Sequence, residues 1–340
     1  MLFRSAAGQR TQTTDETGYV QTYAYSSLGL LLSISDNTHG TLVSYQYDAM
    51  GRLTQESDAS GTTNAYSYDA AGQLVSIITR NSANAVVAEA VYTRDLNGRP
   101  KTLTTLNGTW TYSYDGIGQL TSALFDSSNA SIADQDLSFV YDAAGNRVKT
   151  IVNGVETNYS TNSLNQYTAV GGDTFTYDAD GNLIGRVSGA QNYSYSYDQL
   201  NRLTSTTTPG GTWGYEYNAL GQRVATQNGA NRTEYTFDSY GYGYANTEYN
   251  AAGNVTARNV VGQGLDARIT SGGVYFYSND AVGNTTSISG SGGVVANYTY
   301  LPFGQVLYSQ SSLANPMQMN GQYGITQQGN GLTNMRARFY

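Results

Sequence analysis

The sequence predicts an all-β fold, a long antiparallel meander of hairpins that has to coil on itself. Three observations predict it. A ten-residue phrase recurs, as YQYDAMGRLT at Tyr45–Thr54, YSYDAAGQLV at Tyr66–Val75 and YSYDGIGQLT at Tyr112–Thr121. Two-residue turn signals fall between the copies. The composition also suits strands, with 39 glycines and 31 tyrosines but lysine only at Lys101 and Lys149, so that Leu, Glu and Lys, the usual helix formers, are thinly supplied.

The repeated unit is Tyr-x-Tyr-Asp-x-x-Gly-x-Leu. Residues two apart in a strand share a face, so Tyr45 and Tyr47 point the same way, as do Tyr66 and Tyr68, Tyr112 and Tyr114, Tyr195 and Tyr197, and Tyr215 and Tyr217. Asp at the first turn position and Gly at the fourth mark a type I turn closed by a left-handed glycine. Asp48/Gly51, Asp69/Gly72, Asp115/Gly118, Asp142/Gly145 and Asp178/Gly181 fill these places, with Asp198 and Gly221 in two units where one partner differs. The aspartate side chain is expected to accept the backbone N–H two residues on and lock the turn. The unit aspartate also recurs at Asp95, Asn218 and Asp238, and Ser26 holds the place in an early copy. Later copies decay, around Tyr249 and at Tyr275–Thr285.

The second turn class includes Asn107-Gly108, Asn153-Gly154, Asn228-Gly229, Gly210-Gly211 and Asp58–Gly61. Asn-Gly is the strongest two-residue hairpin signal. Two strands of ~6–8 residues and two turns per unit give roughly 28 strands, with one turn class on each sheet edge. Strand twist makes such a ribbon coil. One face would cover on the order of 2,700 Å², too little to close around a folded domain of about 100 residues or more.

Composition excludes several function classes. A net charge of −8 disfavours nucleic acid, whose phosphates want a basic face. No apolar run is long enough to span a membrane as a helix, and MLFRSAAGQRTQTTD lacks the charged and apolar regions of a signal peptide. With 0 cysteines there is neither a disulfide framework nor a thiolate metal site. His39, the single histidine, lies in a turn without a nucleophile motif, so a surface role is expected. Asp178 and Asp180 resemble the start of a calcium loop, but position 12 is Gly189, where that loop needs glutamate. Asp134 and Asp136 sit in an insert and suggest no acid–base pair. Gly210-Gly211 and Gly272-Gly273 precede no helix and give no phosphate cradle. No catalytic residue, metal or cofactor is expected. The tyrosines are expected to form a cross-strand ladder, with glycan stacking as the competing use.

With these units in view, the chain resembles the Rhs/YD-repeat family, which includes Rhs polymorphic toxins, shell subunits of Tc toxins and the teneurin YD shell. YFYSNDAVGNTTSISGSGGVVANYTYLPFGQVL (Tyr275–Leu307) is similar to the tract ahead of that family's core. NGQYGITQQGNGLTNMRARFY (Asn320–Tyr340) is similar to its core signature, carried by Gly331, Leu332, Arg336, Ala337, Arg338, Phe339 and Tyr340. The resemblance implies a hollow β-shell or β-solenoid, with repeats over 1–270 and core-associated repeats over 271–340, truncated ahead of the Asp-Pro self-cleavage region. None of Pro100, Pro209, Pro302 and Pro316 follows an aspartate, so neither that centre nor a toxin domain is expected within these residues. The function implied is a non-enzymatic wall around a toxin or other polypeptide cargo, bacterial, secreted or at the cell surface. The remaining shell of a larger protein is the other implied partner. Two alternatives stand beside it: a fibre, tube or adhesin formed when open strand edges pair between copies, and a carbohydrate-binding solenoid.

Overall fold

The structure, a computed structural model, describes residues 2–237, 244–335 and 338–340. Asp238 and Arg336 lie outside the described residues. Thirty strands form one antiparallel sheet, and three short strands, Thr326–Gln327, Thr333–Met335 and Arg338–Phe339, form a second. The only helical element among the described residues is the 3-10 turn Gly321–Tyr323. Among them no helix is long and apolar enough to cross a membrane.

Neighbouring strands in sequence pair with one another. Tyr45 of Gly40–Tyr47 faces Glu56 of Leu53–Asp58, which faces Asn64 of Thr63–Tyr68. Each Asp-x-x-Gly hairpin carries a register shift just before its turn, between Gln46 and Tyr47, Ser67 and Tyr68, and Ser113 and Tyr114. The cause is the turn itself. Gly51 has φ 78 and donates its N–H to the Asp48 carbonyl at 3.0 Å, while Asp48 N–H reaches the Arg52 carbonyl at 3.0 Å. This is the type I turn with a left-handed glycine that inserts one extra residue as a bulge.

The opposite edge departs from expectation. Only Asn153-Gly154 fills both loop positions of its hairpin, between the facing residues Val152 and Val155. At Asn107-Gly108 the loop is Leu106-Asn107, and Gly108 is already a strand residue facing Thr105. At Asn228-Gly229 the frame slips the other way, since Asn228 faces Asn231. Likewise the loop at Gly210-Gly211 is Pro209-Gly210, because Thr208 faces Gly211. The flanking side chains fix which residues pair, and the dipeptide then occupies whichever loop places remain.

The chain divides into two compact units, Met1–Thr93 with Ala257–Gly324, and Arg94–Thr256 with Ile325–Tyr340. Residues 271–340 therefore contribute to both. In the first unit, late strands pack on early ones. Val260, Ala267 and Phe276 join Tyr23, Ile34, Val43 and Tyr45 in one core. Arg258 Nε binds Asp15 at 2.8 Å, and the Ala281 N–H donates to the Tyr92 hydroxyl at 3.1 Å. In the second unit, the Trp110 and Phe125 rings meet in a tilted contact with centres 4.9 Å apart, and Leu137 and Phe139 are buried on the same face. Along Gly108–Tyr114, Trp110 is buried while Thr111 and Ser113 are exposed. The aromatic face is thus the inward one and the Ser/Thr face the outward one.

Gly108 is a sharp test of this frame. Its φ is 145, and an added Cβ would meet the Asp126 carbonyl oxygen at 2.3 Å. Gly108→Ala is expected to cost roughly 3 kcal/mol, read as a fall in the urea midpoint. Gly8→Ala, whose Cβ meets nothing within 4 Å, should cost only about 1 kcal/mol for its backbone conformation.

Candidate functional site: the turn edge and the aromatic face

The turn aspartates share one geometry. Asp48 Oδ1 accepts the N–H groups of Met50 and Arg52, both at 2.9 Å. Asp115, Asp142, Asp178 and Asp198 each accept the same two donors, the N–H groups two and four residues on. At Asp69 the Gln73 N–H donates at 2.8 Å. The fourth turn residue, Gly72, Gly118, Gly145, Gly181 or Gly221, donates to the carbonyl of the first at 3.0–3.2 Å; after Asp198 this residue is Asn201. The expected side-chain lock is present, with a second N–H beyond it.

The residue after the glycine, which the repeat phrase leaves variable, completes the edge. Arg52 Nε donates to Asp48 Oδ2 at 2.7 Å, and the guanidinium lies 4.6 Å from the ring centre of Tyr68 in the next unit. Arg99 does the same between Asp95 and Tyr114, and Arg202 between Asp198 and Tyr217. Glutamine reaches the next turn by hydrogen bonding instead, from Gln9 to the Gly29 carbonyl and from Gln166 to that of Gly181. Where asparagine stands at both places, Asn146 Nδ2 donates to Asn165 Oδ1 and Asn182 Nδ2 to Asn201 Oδ1, each at 2.9 Å. Sequence reasoning missed this position because three residue types share one role; its signal was the recurrence of Arg, Gln or Asn, side chains that donate N–H, with Leu30 and Leu332 as departures.

The second tyrosine of the unit mends a gap. Pairing between successive hairpins ends at Gln55–Ala65, two residues short of Leu53. Tyr68 then extends its hydroxyl to the Leu53 carbonyl at 2.8 Å. The same bond joins Tyr47 to Leu31, Tyr114 to Pro100, Tyr141 to Leu120 and Tyr217 to Leu203, at 2.7–2.9 Å. The first tyrosine is packed inward instead: Tyr45, Tyr195 and Tyr215 are buried, and Tyr66 and Tyr112 half-buried. The expected cross-strand tyrosine ladder is not what forms. Tyr45 faces Glu56, Tyr66 faces Ile77 and Tyr112 faces Ala123, because a return strand without the motif separates each pair of tyrosine strands.

The C-terminal signature docks on the aromatic face of the second unit. Leu332 and Phe339 pack against the cluster of Tyr195, Leu203, Trp213 and Tyr215. The Phe339 ring centre is 4.6 Å from that of Tyr215, and Asn330 Nδ2 donates to the Tyr215 hydroxyl at 2.6 Å. Arg223 bonds Gln328 at 2.8 Å and lies 5.4 Å from the Phe339 ring centre. Gly331 closes a turn of the repeat class with φ 85, whereas Arg338 and Tyr340 are exposed.

The other candidates resolve into local structure. His39 Nδ1 lies 2.7 Å from Asp36 Oδ2. Asp178 Oδ1 accepts the Asp180 N–H at 3.0 Å, and Asp134 accepts that of Ser127 at 2.9 Å. Among the described residues no group of acids and histidine could hold a metal ion.

Three segments, 25–63, 177–212 and 197–234, match the RHS Repeat family model. These segments carry RHS repeats. The fold of the chain is shared with the TcdB2–TccC3 crystal structure at a TM-score of 0.71 and 16% identity, covering 100% of this chain and 20% of that one. The TcdB2–TccC3–Cdc42 crystal structure matches at 0.70 and 17%, with the same coverage. The Photorhabdus luminescens Tc holotoxin pore with a TccC3 mutation matches at 0.70 and 16%, over 100% of this chain and 19% of that one. The chain thus spans about a fifth of the length of these structures. Among curated proteins none matches it in sequence.

Two predictions follow from the turn edge. Tyr68→Phe or Tyr217→Phe should each cost about 1 kcal/mol, and the pair should cost the sum because the two hydroxyls belong to separate units and share no partner; urea denaturation checks this. The second concerns acid. At Asp48 and Asp115 the backbone N–H four residues on leads in lowering the carboxyl, opposed by partial desolvation and reinforced by the same residue's side chain. At Asp142 and Asp198 the side chains of Asn146 and Arg202 lead. A lowered native value means stability present above the unfolded carboxylate range and lost below it. The thermal midpoint should therefore fall as pH drops below about 4, and Asp48→Asn combined with Asp198→Asn should flatten that fall.

Proposed function

We propose that the protein is a structural wall segment of an RHS shell around an enclosed polypeptide, with no catalytic role of its own. The observation that carries this reading is the fold match over the whole chain to the TcdB2–TccC3 structures. Two features support it. The recurrent acids are committed to turn hydrogen bonds, and the ties from turn to turn stiffen one sheet edge, as a wall requires. The core-like segment 325–340 sits on the aromatic face, where a chain continuing into an enclosed space would begin. Such a wall hides its contents from proteases, and the site of action is outside the producing cell or at its surface.

The test is protease protection. The protein is produced with the coding sequence that adjoins it, and the complex is digested before and after unfolding in urea. Expected is an adjoining polypeptide that survives in the native complex and is cleaved once the sheet unfolds. Equal cleavage in both states removes the enclosing role. Electron microscopy of the same sample should show discrete particles; regular filaments would instead move the fibre reading ahead.

A further inference from the structure

The first unit buries two carboxyl groups where its early and late strands meet. Glu56, 8% exposed, lies in Leu53–Asp58, directly across the ladder from Tyr45. Asp266, 4% exposed, comes from Leu265–Thr270. A bulge aims Asp266 inward: Val260 faces Ala267 and Val261 faces Leu265, so Asp266 is the extra residue without a facing partner. A bulge that re-aims one side chain is a common device beside working groups. The Tyr45 hydroxyl donates to Asp266 Oδ2 at 2.5 Å, and the Tyr66 hydroxyl donates to Glu56 Oε2 at 3.3 Å. The space is closed. A Cβ on Gly262 would meet the Tyr45 hydroxyl at 2.3 Å and Asp266 Oδ2 at 2.5 Å.

We propose that Glu56 and Asp266 form a pH latch between the packed layers of this unit, closed while the pair is protonated and opened when both groups ionise. The surrounding ionisable groups are acids and phenols: Asp58 on the same strand, Tyr45 and Tyr47 on Gly40–Tyr47, and Tyr66 on Thr63–Tyr68. Arg258 and Arg268, on the late strands, bind Asp15 and Asn259. Burial pushes the Asp266 carboxyl up to about 7, against the Tyr45 hydroxyl and the Gly262 N–H, which pull it down. Burial, then the charges of Asp266 and Asp58, push Glu56 well above the usual carboxylate range. The closed seam therefore holds protons that an open seam releases to water. Its stability is full below about pH 4 and declines as pH rises toward 7 and beyond. Two carboxylates in a closed, weakly screened space repel each other, and solvation of both requires the layers to part.

The latch does not rest on the shell reading, and its test is separate. Hydrogen exchange of the full chain is followed from pH 5.5 to 8.5, corrected for intrinsic exchange. Protection of Leu53–Asp58 and Leu265–Thr270 should fall by about 30-fold from Asp266 alone, given a carboxyl near 7 when closed and about 4 when open. Strands of the second unit, such as Gly211–Tyr217, should not follow. In E56Q/D266N, whose amides copy the neutral acids, the fall should vanish. Should that double variant not fold, the wild-type profile alone decides. A flat wild-type profile, or a double variant that keeps the wild-type slope, overturns the latch.

Discussion

The constraint on which the rest of the structure depends is the left-handed residue that closes each Asp-x-x-Gly turn. It inserts an extra residue, and the bulge bends the strands apart at that edge. Main-chain pairing between successive hairpins then ends early, at Gln55–Ala65 in one unit and Ser205–Gly214 in another. A carbonyl at Leu53 or Leu203 would be left without a strand partner, a costly state for a backbone group away from water. The second tyrosine of the next strand supplies the missing donor. The motif is therefore one device: the aspartate sets the turn, the glycine makes the bulge, and the second tyrosine repairs what the bulge opens.

The residue after the glycine adds a second tie along the same edge. A guanidinium over a partly exposed ring is worth about 0.5–1 kcal/mol, similar to a neutral hydrogen bond. That equivalence explains why Arg52, Gln166 and Asn182 fill one place without loss of the pattern. Each hairpin contributes little, and the stability of the sheet grows by summation along the chain, as in other repeat proteins.

The same residue type does opposite work in two settings. Asp48 lies at an exposed turn, where donated N–H groups favour its charged form. Asp266 lies in a closed seam, where burial favours its neutral form. One set of aspartates therefore stabilises the fold as pH rises through the acid range, and the other withdraws stability as pH rises toward neutrality. The two sets together place the expected maximum of stability in mildly acidic solution.

The sequence by itself determined the hairpin unit, its turn type and the strand count of the main sheet to within two, since each rests on contacts within about twenty residues. It also placed the tyrosines of one unit on one face. It could not decide that this face turns inward, because Tyr45 and Tyr215 are buried by strands more than a hundred residues away. The loop frames at Asn107-Gly108 and Asn228-Gly229 were likewise out of reach, being set by the pairing of the flanking strands. Glu56 and Asp266 carry no local motif at all. Their character comes from a bulge and a fold that bring residue 56 against residue 266, and only the tertiary structure could make two ordinary acids into a buried pair.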